Sequence, residues 1–283
     1  MFLRPPFLAI VVDGLINMTM LRPRLRVALA QMDIVPGDWE ANVMRAFQFL
    51  EEANNLRCEL VLLPEMWSTG YPALETLVDI ARSTFHKTLD LIQQWAQRFH
   101  VWLLAGSIPE VAGEGLYNSA YLAGPGGELQ GHYRKMHLFP AFQEPAVFQP
   151  GRENQPLLTP WGKVGVQICF DLRFPLGFQE LRTQGVRLVC LPAQFPHPRL
   201  QHWLTLIRAR AIENQYFVLA CNRTGEDFPG RSYFGHSMIV DPGGEILLQG
   251  YEEEILLATE LNLVQVEQLQ NDFPLSPASE IFK

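Results

Sequence analysis

Lysine is almost missing from this chain. Only Lys87, Lys135, Lys163 and Lys283 occur in 283 residues, no block of basic residues forms, and the formal net charge is −8. Binding nucleic acid through its phosphates needs clustered Lys and Arg, so a nucleic-acid partner is excluded. Cysteine is sparse too: Cys58, Cys169, Cys190 and Cys221 contain no CxxC pair. That rules out a zinc knuckle or a dense disulfide framework and points to a reducing cytoplasm. Phosphate loops of the P-loop or GxGxxG kind are missing, as are HExxH and EF-hand patterns, so neither a metal nor an organic cofactor is expected. Long apolar runs are missing as well. The best candidate, "FLAIVVDGLINM", is broken by Asp13, is too short to span a bilayer and is followed by no cleavage site, so no membrane partner is expected.

What is present describes a folded globular chain. Hydrophobic residues make up 48% and charged residues 18%, enough to bury a large core without long disordered tracts. The first convincing strand is "LRVALAQM" from Leu25. Residues 1–22 are therefore read as a poorly ordered extension, and residues 23–283 as one domain.

Asp38 is placed to cap a helix whose apolar positions Val43, Ala46, Phe47, Leu50 and Ala53 follow helical spacing. The segment "ELVLLPE" reads as a short buried strand ending at Pro64 and Glu65, followed by a helix over about 77–98 and the strands "VWLLAGS" and "LYNSAYLAG". Two hairpins share one turn device, Pro125-Gly126-Gly127 and Pro242-Gly243-Gly244. The second half repeats the pattern with "KVGVQIC", a helix near 176–184, "RLVCLP" and a helix from about Gln201 to Asn214. Two such halves predict a four-layer αββα sandwich, two sheets face to face with helices outside. The alternative, one doubly wound sheet, accommodates the long hairpins poorly.

Three strand ends carry chemistry. In "VGVQICFDLRFP" an apolar strand gives way at Cys169 to Phe170, Asp171, Leu172 and Arg173. A thiol there is well presented, although a buried inert cysteine is the plain alternative. An unperturbed thiol is mostly protonated at neutral pH and needs a base; none of the seven histidines stands in a motif that names it, and His100, His132 and His202 read as surface or satisfied residues. Glu65, just after its own buried strand, is the other candidate base, with a solvated loop carboxylate as its plain alternative. Lys135 in "GHYRKMHLF" ends a hairpin strand and supplies an oxyanion partner where a surface charge is the alternative. Asp171 and Arg173 have structural salt bridges as their plain reading, but Arg173 lies one turn past the thiol, where it can grip a substrate carboxylate.

Taken in order, "LPEMWSTGY", "YRKMHLF" and "CFDLRFP" resemble the nitrilase superfamily of carbon-nitrogen hydrolases. The resemblance runs from Leu25 to about Leu261 and includes "HWLTLIRARAIENQYFVLACNRTG" and "FGHSMIVDPGGEIL". It implies the αββα sandwich, a homodimer, and a Glu-Lys-Cys triad falling on Glu65, Lys135 and Cys169, with a further glutamate at Glu144 and an oxyanion contact from the Phe170 N–H. Arg173, Phe170, Phe195, Tyr71 and His137 are assigned to a small-molecule amide substrate. Within the superfamily, "CFDLRFP", "PAQFPHPRLQHW" and "RARAIENQ" look most like the ω-amidases, which deaminate 2-oxo-acid amides such as 2-oxoglutaramate. The competing readings are an N-carbamoyl hydrolase, a general aliphatic amidase, and a noncatalytic scaffold that keeps the same sandwich.

Overall fold

The computed structural model describes residues 10–12, 15–17, 21–228 and 230–275, so the expectation for residues 1–22 falls mostly outside the described residues. Two short strands, β1 (Ile10–Val12) and β2 (Leu15–Asn17), pair antiparallel ahead of the main fold. The first half then runs β3 (Arg24–Gln31), α1 (Trp39–Asn55), β4 (Leu60–Leu62), α2 (Leu74–Phe99), β5 (Trp102–Leu104), β6 (Ile108–Ala112), β7 (Gly115–Ala123) and β8 (Leu129–Arg134). The second half runs β9 (Leu157–Thr159), β10 (Gly162–Val166), α3 (Pro175–Thr183), β11 (Val186–Ala193), α4 (Leu200–Asn214) and β12 (Phe217–Asn222). It ends with β13 (Thr224–Phe228), β14 (Arg231–Phe234), β15 (Met238–Val240), β16 (Ile246–Gln249), β17 (Ile255–Asn262) and α5 (Val264–Asp272).

The halves repeat one plan. β3, β4 and β5 are parallel, β5 pairs antiparallel with β7, and β7 pairs with β8. In the same way β10, β11 and β12 are parallel, β12 pairs antiparallel with β15, and β15 pairs with β16. Both hairpin turns place their second glycine, Gly127 and Gly244, at φ of +86° and +89°, which a side-chain-bearing residue adopts only with strain.

Alternating burial along the strands sets the layers. Val27, Leu29, Leu60 and Leu62 face Val164, Val166 and Leu188 of the other sheet, whereas Ala28, Ala30 and Val61 pack on Phe49 and Leu50 of α1 and on Ile92 and Trp95 of α2. Phe178, Leu181, Trp203 and Ile207 of α3 and α4 close the far side. The chain is therefore the four-layer αββα sandwich. Asp38 accepts the Ala41 N–H at 3.0 Å and caps α1 as its sequence predicts.

The structure adds elements that the pattern does not announce. α2 begins at Leu74, ahead of the expected 77, because its first turn buries nothing before Leu77 and so carries no apolar stripe. β6 contains Pro109, which reads as a strand breaker, and it lies at the edge of its sheet, where a missing N–H is tolerated. No helix among the described residues is long and apolar enough to cross a membrane.

Candidate active site

Glu65, Lys135 and Cys169 each follow a strand end, after β4, β8 and β10. Gly106 approaches the Glu65 junction so closely that a Cβ there would lie 1.8 Å from the Pro64 carbonyl oxygen, so only glycine fits. Ser107 Oγ accepts the Met66 N–H at 3.0 Å and fixes the turn beyond Glu65. Cys169 opens a 3₁₀ turn, Cys169–Arg173, and takes φ +45°, a left-handed conformation that a cysteine adopts only when its surroundings impose it.

These ends converge on one buried cluster between the sheets. Lys135 Nζ donates to Glu65 Oε1 at 2.7 Å and to Glu144 Oε1 at 2.9 Å. The Tyr71 hydroxyl lies 2.9 Å from Glu65 Oε1 and makes a short contact with Glu144 Oε1. Asn118 Nδ2 donates to the same Glu65 and Glu144 oxygens at 2.9 and 3.2 Å. The second Glu65 oxygen accepts the Gln194 N–H at 2.8 Å, and the second Glu144 oxygen accepts the Phe139 N–H. Both carboxylates, the ammonium and the thiol are essentially closed to solvent.

Charges inside this cluster offset the cost of burying them. Burial alone would push the Glu65 carboxyl up, but the Lys135 ammonium and hydrogen bonds from Lys135, Cys169 and the Gln194 N–H hold it below the ordinary carboxylate range. Burial likewise opposes the Lys135 charge, yet Glu144 and Glu65 keep it above the usual lysine value. For Cys169, burial and the Glu65 charge act together against Lys135 and raise the thiol well above an ordinary cysteine. At neutral pH the cluster rests as carboxylate, ammonium and thiol. Such a thiol can attack only as it hands its proton to the carboxylate beside it.

Tyr71 thus turns its hydroxyl to the carboxylates, although its sequence assignment is a substrate contact. A run of aromatic rings continues outward from it: Tyr71 to Phe142 at 5.0 Å, Phe142 to Phe139 at 4.9 Å, Phe139 to Phe170 at 4.8 Å and Phe170 to Phe174 at 5.5 Å. The Arg173 guanidinium lies 6.0 Å from the Phe170 ring and 5.7 Å from that of Phe195, and its Nη2 meets His202 Nδ1 at 2.9 Å. No carboxylate pairs with Arg173 among the described residues, so the plain reading of an Asp171 salt bridge does not hold. His137 is not in the carboxylate cluster. Its ring stacks on Phe174 at 3.7 Å and its Nδ1 lies 2.8 Å from Asp171 Oδ1. Phe195 is buried, and its N–H is taken by Asn222 Oδ1 at 2.7 Å.

Sequence reasoning does not single out Asn118 or Gln194, and reads His202 only as a surface or satisfied residue. A polar residue inside the buried strand "LYNSAYLAG" was the available signal for Asn118; Gln194 and His202 offer none, because they reach Glu65 and Arg173 only through folding.

The other thiols have different surroundings. Cys58, Cys190 and Cys221 are buried and free. Burial alone pushes Cys190 up to about 12, and Cys221 Sγ points at the Ala30 and Leu62 carbonyl oxygens, 3.3 and 3.4 Å away, bridging the two sheets. Cys190→Ala and Cys221→Ala are expected to lower the unfolding midpoint by creating small core voids, about 1–2 kcal/mol each. Turnover per folded molecule should stay within about twofold. Ammonia release normalised to folded protein checks this, and a complete loss of rate in a folded Cys221 variant would point to a different nucleophile.

A four-layer sandwich with carboxylate, ammonium and thiol at its strand ends is the arrangement expected of an enzyme that cleaves carbon-nitrogen bonds. Residues 26–271 match the carbon-nitrogen hydrolase family, and the chain belongs to it. A 2-oxoglutaramate amidase of Bacillus subtilis (strain 168) is 33% identical over 249 residues, 88% of this chain and 95% of the relative. A deaminated glutathione amidase of Synechocystis sp. is 35% identical over 267 residues, 90% of this chain and 97% of the relative. The crystal structure of the C. elegans NitFhit protein superposes with a TM-score of 0.87 at 31% identity, covering 93% of this chain and 67% of that one. The chain is an amide-hydrolysing enzyme.

Proposed function

We propose that this enzyme hydrolyses the ω-amide of a small 2-oxo acid, 2-oxoglutaramate being the representative substrate, to the acid and ammonia through a thioester on Cys169. Glu65 accepts the Cys169 proton as sulfur attacks the amide carbonyl. Two Lys135 hydrogens are engaged by Glu65 and Glu144, which leaves the third for the oxyanion, assisted by the Phe170 N–H. Glu65 then gives its proton to the departing amine, and ammonia leaves as the C–N bond breaks. The same carboxylate takes a proton from water as it attacks the thioester, and that proton returns to sulfur with release of the acid. Glu144, Tyr71 and Asn118 keep Glu65 and Lys135 in register. The reading extends to a homodimer in a reducing cytoplasm, supported by the superfamily resemblance and by four thiols that form no disulfide.

The observation that supports this substrate class is Arg173, a guanidinium beside the nucleophile turn, flanked by aromatic rings and paired with no carboxylate among the described residues. A substrate carboxylate supplies the missing partner. Loss of a charge-assisted bidentate contact costs about 1.5–3 kcal/mol, roughly tenfold to a hundredfold in kcat/KM. Arg173→Met is expected to lose that much toward 2-oxoglutaramate while largely sparing an uncharged short amide. Arg173→Lys, which keeps the charge but not the planar fork, should fall between. Ammonia release would be measured for both substrates in all three proteins, alongside carbamoyl compounds and nitriles. Equal losses on both amides would rule out carboxylate recognition and favour a general aliphatic amidase.

A further inference from the structure

Asp171 lies two residues beyond Cys169 and is closed to solvent, and no Lys or Arg pairs with it among the described residues. Arg173 is turned toward His202, and Arg210 donates to the Leu172 carbonyl at 2.8 and 3.2 Å while pairing with Glu213. The Asp171 carboxylate is met instead by three donors and an imidazole nitrogen. Oδ2 accepts the Ile168 N–H and the Tyr133 hydroxyl, both at 2.9 Å. Oδ1 accepts the His137 N–H at 2.9 Å and faces His137 Nδ1 at 2.8 Å. Their positions are telling. Ile168 immediately precedes the nucleophile, and Tyr133 and His137 stand two residues before and after Lys135. One carboxylate therefore ties the nucleophile turn to the segment that carries the lysine, on both sides of it.

We infer that Asp171 is the positioning residue that sets Cys169 against Lys135 and holds the strained turn in its reactive form. The inference rests on Cys169 being the nucleophile and goes beyond the proposed reaction. Cys169 holds φ +45° because its turn is gripped from two directions, by the Asp171 hydrogen bonds on one side and by Arg210 on the Leu172 carbonyl on the other. Releasing the first grip lets the turn relax, and the thiol leaves the line between Glu65 and the bound carbonyl. Displacement of a reacting group by about 1 Å costs on the order of a hundredfold in rate. Asn is a focused lesion at this site. Each Asp171 oxygen accepts one backbone N–H, from Ile168 or from His137, so whichever way the Asn amide is turned its NH₂ faces one of them and leaves that N–H without an acceptor.

The test uses the full chain as the parent and as Asp171→Asn, Tyr133→Phe and the double variant. It reads kcat and KM for ammonia release, and separately the rate at which iodoacetamide alkylates Cys169, located by peptide mass. Asp171→Asn is expected to lower kcat about a hundredfold with KM changed less than about threefold, and to slow alkylation about tenfold. Tyr133→Phe, which removes one donor, should lower kcat about threefold to tenfold. The double variant should be no worse than Asp171→Asn, since both act through one contact. Parental kcat per alkylatable site in a folded Asp171→Asn protein, or effects that multiply in the double variant, would overturn the assignment. Should Asp171→Asn fail to fold, Tyr133→Phe and His137→Gln leave the carboxylate in place and carry the test; kcat unchanged in both would overturn it equally. Failure of the reaction itself would show differently, as full turnover in Cys169→Ala.

Discussion

Cys169→Ala is expected to fold like the parent and to release ammonia from no amide, a loss on the order of 10⁴-fold or more. The expectation of intact folding follows from where the charge lies. The thiol rests neutral, so removing it leaves the Glu65, Lys135 and Glu144 contacts in place and deletes only one hydrogen bond to Glu65. Alanine meets the same backbone conformation at φ +45° and leaves a small void beside the Glu65 carboxylate. The expected stability change is about 1 kcal/mol, against a chemical change of several. Glu65→Gln should match this loss of rate for a different reason, since it keeps the shape but removes the base. Mass spectrometry separates the two steps: the parent mixed with a slow amide should show the mass of an acyl adduct on the Cys169 peptide, and Cys169→Ala should show none. Residual turnover above about one per cent of the parent in a clean preparation would sink both the thioester and the choice of nucleophile.

Much of this candidate site is legible in the sequence. Glu65, Lys135 and Cys169 stand at junctions where an apolar strand stops at a polar residue, and the repeated Pro-Gly-Gly hairpins announced two related halves. The residues that escaped notice are those whose purpose depends on partners far along the chain. Gln194 is 129 residues from Glu65, yet its backbone N–H holds a Glu65 oxygen, because the ends of β4 and β11 meet across the two sheets. Asp171 and Arg173 invited a salt bridge by their spacing. The tight 3₁₀ turn sends one side chain inward to Tyr133 and His137 and the other outward to His202. Tyr71 adds partners of the same kind: its hydroxyl meets two carboxylates that lie 6 and 73 residues away along the chain.

Lys135→Met is expected to be the most destabilising single change in the cluster, about 3–5 kcal/mol at neutral pH, as well as inactive. Methionine matches the length of the lysine stem, so the loss is electrostatic. Glu65 and Glu144 would face one another across Tyr71 and Asn118 with no cation between them, both closed to solvent. The pH dependence then separates this cause from simple misfolding. In the parent, the folded Glu65 carboxyl lies below its unfolded value, so its contribution is present above the unfolded pKa and is lost as pH falls through the folded one. Lys135 lies above its unfolded value, so its contribution is complete below the unfolded lysine pKa and is lost only as pH rises through the folded one. Neither change falls between about pH 6 and 9. In the variant the carboxylate pair, stripped of its cation, takes up a proton more readily than the unfolded chain does. Its stability must therefore fall as pH rises, making it firmer near pH 5 than near pH 8, a slope the parent lacks. Urea unfolding at several pH values reads this directly. Removing one of the two like charges, in Lys135→Met/Glu144→Gln, should flatten the slope and return part of the loss without restoring turnover. A single variant that loses less than about 1 kcal/mol, or shows the parental pH dependence, would mean that the ammonium does not hold the two carboxylates together.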